Sequence, residues 1–161
     1  MDNKSTTDVS QSLIELRPQT LLQVALLGAG LGIASWLLTM LVRQIIFVPL
    51  FCGDPSNSMC VGATGGAGVI VLIAMGIAGL LGLVRLGVYR PLLVALAAAV
   101  TLWGMSVWLG GLYWFEALAW SILLYALSYV VFTWLVRPRN FGLAALLVVI
   151  VVLLARIAAA V

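Results

Sequence analysis

The sequence predicts an all-α integral membrane protein, a bundle of five transmembrane helices. Three observations carry this: a composition suited to lipid, apolar runs of about 20 residues in close succession, and arginines at alternate ends of those runs. Of the 161 residues, 65% are hydrophobic and 8% charged, against roughly 45–50% and about 25% in soluble domains. A water-soluble fold needs a charged surface, and this chain has too few charges to make one. The net charge of +3 comes mostly from arginines beside the run ends, so it points to membrane orientation and away from nucleic acid.

Residues 1–20 form the polar segment. It lacks the basic start, short apolar core and small-residue cleavage site of a secretory signal, so it is expected to be retained on the cytoplasmic side. Within it, Ser10 to Leu16 predict a short amphipathic turn at the headgroups. The remainder, 21–161, is read as the transmembrane domain, with runs at about 21–51, 63–84, 91–109, 117–136 and 141–160. The first run is overlong: some 30 helical residues reach roughly 45 Å against a hydrocarbon core of about 30 Å, which predicts tilt, bend or projection. Gly28, Gly30 and Gly32 mark the expected bend or close approach. Turn formers at Gly53 to Asn57 close the run. The later connections, 85–90 and 137–140, are short, so their flanking helices are expected to be antiparallel neighbours.

Arg17, Arg85, Arg90, Arg137 and Arg139 fall on one side if every run crosses once. By the positive-inside rule that side is cytoplasmic, which places the N-terminus inside and the C-terminus outside in a multi-pass protein of the cell membrane.

Cys52 and Cys60 bracket the first external loop and predict a disulfide in an oxidising compartment. Arg43 and Gln44 lie late in the first run, where an unpartnered charge in hydrocarbon costs several kcal/mol. With Asp54, Glu116 and Arg156 they are expected towards the outer side, either as a polar pocket or ion-paired cluster, or with the arginines snorkelling and Glu116 favoured by a helix N-terminus. Aromatic residues crowd the fourth run; Tyr125 and Tyr129, one turn apart at mid-depth, need hydroxyl partners, for which Ser121, Ser128 and Thr101 are candidates. The small residues Ala25, Gly28, Ala29 and Gly32, and Ala74, Ala78 and Gly82, recur four apart and predict close helix contacts within the bundle or against another subunit. Ala25 and Ala29 resemble the AxxxA docking element of energy-coupling-factor substrate-binding subunits. The resemblance covers five residues, and that family has six helices against the five counted here, so it assigns no family.

Several chemistries are excluded. The chain has no histidine, which removes histidine-ligated haem and a histidine-based triad and leaves no expected metal or other cofactor. Lys4 is the sole lysine, paired carboxylates and a CxxC motif are missing, and Gly65, Gly66 and Gly68 lack the ending of a phosphate loop. The expected role is therefore non-enzymatic: an accessory, scaffold or oligomer-forming subunit whose partners are lipid and a protein or a second copy. The alternatives are transport or capture of a small solute in a polar pocket near the outer face, and envelope thiol redox chemistry.

Overall fold

A computed structural model describes residues 18–52, 58–138 and 140–160, with the side chains at 18, 51, 58–61, 63–64 and 158–160 excluded. The expectations on the segment 1–17, Arg17, Asp54, Arg139 and the side chain of Cys60 lie outside these residues.

Every regular element among the described residues is helical. In chain order they are α1 (Pro18–Val42), a π-helical turn (Arg43–Phe47), α2 (Val48–Phe51), α3 (Ser58–Arg85), α4 (Pro91–Leu102), α5 (Met105–Leu109), α6 (Trp114–Leu135) and α7 (Phe141–Ala160). Three stretches are long and apolar enough to cross a membrane: Gln19–Leu50, Gly65–Arg85 and Trp114–Leu135. Pro91–Leu102 and Phe141–Ile157 are shorter apolar helices. This is consistent with a membrane protein.

The first three expected runs differ in detail from what is observed. Of the bend or close approach expected around Gly28 to Gly32, the structure shows the close approach, at Gly28 and Gly32, and α1 continues through them to Val42. The irregularity comes later, at the π turn, and Pro49 accounts for it. In an α-helix the Pro49 ring would strike the carbonyl four residues back, and its missing N–H would leave that carbonyl bare. Widening the ladder moves the clash away, and Val48 donates its N–H to the Arg43 carbonyl instead. The second helix begins at Ser58, earlier than the predicted 63.

The third run, expected as one helix over 91–109, is broken. Trp103 is extended (φ −60°, ψ 126°) and Gly104 takes φ +86°, ψ −5°. That left-handed geometry costs an L-residue with a side chain about 1–2 kcal/mol and costs glycine nothing. The helix cannot pass through it.

The core is a seam of apolar side chains including Val24, Leu31, Val71, Met75, Leu83, Val94, Ala98, Phe132 and Val148, with Tyr125 and Tyr129 among them. α1 packs most extensively on α6, and glycine permits the approach: a Cβ on Gly28 would stand 2.8 Å from the Ala126 Cα, and one on Gly32 2.6 Å from the Ser121 carbonyl. The outward faces are apolar as well. Leu22, Leu26 and Leu37 on α1, Ile70, Ile73, Ile77 and Leu81 on α3, and Leu146, Leu153 and Ile157 on α7 are all exposed. Apolar residues facing outward on the long helices are consistent with an apolar solvent around them.

Candidate functional site

A cavity of about 330 Å³ lies between α1, α3, the broken α4–α5 segment and α6. Helical spacing builds three of its walls. Ser35, Trp36, Thr39, Met40 and Arg43 line it from α1 and the π turn; Gly65, Gly68, Val69 and Leu72 from α3; and Trp114, Ala117, Ser121 and Tyr125 from α6. Each set recurs three or four residues apart, one face of one helix. The fourth wall is the break, where Leu102 to Val107, Leu109, Gly110 and Leu112 turn across the opening.

Glycines on α3 let this wall close down. A Cβ on Gly68 would collide with the Ser106 side chain, and one on Gly66 would stand 2.7 Å from the Phe47 ring. Gly65, Gly66 and Gly68 thus serve helix contacts, seating the break and the π turn against α3.

The polar groups of the cavity are few. Tyr125 donates its hydroxyl hydrogen to Ser35 Oγ at 3.0 Å, a buried bond between α6 and α1. Thr39 donates to the Ser35 carbonyl at 2.7 Å, within its own helix. Trp36 Nε1 is buried and has no acceptor in the protein. Arg43, exposed on the π turn, is the one charged lining side chain among the described residues.

The partner of Tyr125 is therefore Ser35, none of the three hydroxyl residues considered from sequence. Thr101 bonds the Ala97 carbonyl of its own helix at 2.8 Å. Ser121 is almost fully buried, its backbone against Gly32. Tyr129 packs its hydroxyl over Gly79, a turn beyond the cavity.

The other singled-out polar residues lie apart. Gln44 is exposed and does not line the cavity. Glu116 stands in the first turn of α6, where the helix dipole favours an acid. Arg156 donates from Nη1 to the Trp103 carbonyl at 2.6 Å. Among the described residues no ion pair joins Arg43, Glu116 and Arg156.

At the opposite connections, Arg90 in left-handed conformation (φ 56°) reaches the Pro138 carbonyl at 3.4 Å and lies over the rings of Tyr89 and Phe141. The Arg-bearing connections at 85–90 and 137–140 therefore meet at one end of the bundle. Arg85 is exposed there, and the Arg137 Nε is buried without an acceptor, as is Thr133 Oγ1 one turn earlier.

Cys52 caps α2 and is disulfide-bonded. Of the small-residue rows, Gly28, Gly32 and Gly82 are used inside the bundle, Gly82 against Leu27, and Ala25 and Ala29 are partly buried. Ala74 and Ala78 face outward from α3. Among the described residues no group of His, Cys, Asp and Glu could hold a metal ion.

Sequence alone missed Trp36, Ser35 and Ser106. A signal for the first helix was present, since Ser35, Thr39 and Arg43 are four apart and form a polar stripe in an otherwise apolar run. Compared with family models, characterised proteins and solved structures, the chain matches none.

Proposed function

We propose that this chain is a multi-pass integral protein of the cell membrane that captures a small solute in the cavity, without catalysing a reaction on it. The observation that carries the reading is the cavity itself: about 330 Å³, within the span of small-molecule sites, apolar for the most part and holding a few convergent polar groups. An accessory bundle held together only by side-chain contact needs no such space.

In this reading all five helical segments cross the bilayer. α4 and α5 together with the two residues between them reach about 28 Å, close to one hydrocarbon thickness. The meeting of the Arg90 and Pro138 connections supports placing them on one side, and the positive-inside rule makes that side cytoplasmic. The pocket-lining Arg43 then opens towards the outside. A bridge from Cys52 to Cys60, the only other cysteine, fits that oxidising face.

The test is small-molecule mass spectrometry on protein extracted in native lipid, comparing the wild type with Ala117→Phe. Ala117 is 4% exposed and lines the cavity, so phenylalanine fills the space. A compound retained at stoichiometric amounts by the wild type and lost from the variant is the expected result. Equal retention by both, or none by either, defeats the reading.

A second reading, an accessory or oligomer-forming subunit, is favoured by Ala74 and Ala78, four apart on an outward face of α3. Such a pair permits close approach of another helix. Native mass spectrometry showing a stoichiometric partner or second copy, lost on Ala74→Trp, would support it.

A further inference from the structure

The donors of the cavity are mismatched with its acceptors. Arg43 carries five N–H donors and no acceptor, and the indole of Trp36 carries a donor only. The hydroxyl hydrogens of Tyr125 and Thr39 are already committed to Ser35. No carboxylate lines the cavity among the described residues. Arg43 and Trp36 are seven residues apart on one helix face, about 10 Å along the axis. Most of the remaining lining is apolar, Met40, Leu72 and Leu109 included.

From this we infer that the captured solute is a small organic acid: one carboxylate held by Arg43, an apolar body against the apolar lining, and a hydrogen-bond acceptor for Trp36. The inference rests on the capture reading above. The planar guanidinium matches a carboxylate with two parallel hydrogen bonds. A cation meets the same charge as repulsion, and a polyol leaves the apolar lining without a match. Trp36 Nε1 is sealed from solvent-sized atoms, so its bond forms only when the indole turns towards the ligand. A buried donor without an acceptor calls for such a partner.

The test uses the full chain in phosphatidylcholine nanodiscs, with the indole N–H signals of the tryptophans followed by NMR during titration. The probes are 8-hydroxyoctanoate, octanoate, octanol and octylamine. Saturable binding is expected to be tightest for 8-hydroxyoctanoate, then octanoate, with octylamine weakest, and the Trp36 signal is expected to move with the hydroxy acid. Arg43→Gln is expected to weaken both acids about tenfold while leaving octanol unchanged, and Arg43→Lys to recover part of the loss. Trp36→Phe is expected to erase the advantage of the hydroxy acid over octanoate. If octanol and octylamine bind as tightly as the acids, or Arg43→Gln leaves the acids unaffected, the ligand class is wrong. Capture still stands in that case if Ala117→Phe abolishes the binding. No saturable binding of any of the four probes defeats both.

Discussion

The guanidinium of Arg156, near the end of α7, donates to the main-chain carbonyl of Trp103, where α4 stops, at 2.6 Å. A helix end leaves carbonyls without intrahelical donors, and in an apolar medium each one is expensive. Arg156 supplies the missing donor with a positive charge at the negative pole of α4. The residue that looked from sequence like a snorkelling charge holds a wall of the cavity.

Replacing Arg156 with Ala is therefore expected to destabilise the protein by about 1 kcal/mol, below the roughly 1.5–3 kcal/mol of charge-assisted bonds because the contact is exposed. Hydrogen exchange at Gly104 to Val107 is expected to speed up before the rest of the chain. Unfolding in detergent, followed by circular dichroism, and exchange mass spectrometry check the two statements. Unchanged exchange at the break would show that Arg156 does not support it.

Gly104 should be the least replaceable residue of the break. Gly104→Ala has room for its methyl group, since nothing lies within 4 Å, yet it forces φ +86° on a residue with a Cβ. A loss of about 1–2 kcal/mol is expected from the backbone alone. Gly30→Ala, which also meets nothing within 4 Å but sits in regular helix, serves as the control and is expected to be neutral or stabilising.

Gly32→Ala and Gly28→Ala test the α1–α6 contact in the opposite way. Here the backbone is ordinary and the space is missing, because the new methyl groups meet main-chain atoms of Ser121 and Ala126. Main chain cannot rotate aside, so each substitution is expected to cost about 1–3 kcal/mol by pushing the helices apart. Thermal unfolding in detergent checks the order Gly32→Ala, Gly28→Ala, then Gly30→Ala.

The Tyr125 to Ser35 bond predicts coupling. Tyr125→Phe and Ser35→Ala are each expected to lower stability, and the double variant is expected to fall short of their sum by about 0.6 kcal/mol, the average for hydrogen bonds between membrane helices. Additive losses would mean that the hydroxyls contribute independently.

The helices themselves were readable, because an apolar run of the right length has little choice in a medium that cannot bond a bare backbone. Their interruptions were less so. Trp103 and Gly104 sit inside a run rich in Ala and Leu with no charged residue or internal proline to mark an end, and a positive φ is invisible until the chain is folded. The π turn was legible in principle from Pro49, by counting four residues back to Ile45 and asking where its carbonyl bonds. For the site, Arg43, Tyr125 and Tyr129 stood out as costly groups in lipid, and two of the three line the cavity. Trp36 did not, since a tryptophan in an apolar run passes for a core or interface residue until its N–H is found without an acceptor. Ser35 was hidden because its role depends on a residue ninety positions away.

The widened turn at Arg43–Phe47 also sets a phase. The π turn absorbs a surplus residue, so drawing the same residues into a regular α ladder, with none removed, would rotate all that follows by about 100° about the axis. Cys52 would then leave the helix on another side, and the loop it anchors would start from a different bearing. Two turns upstream of the cysteine, the chain has already chosen the direction in which it emerges.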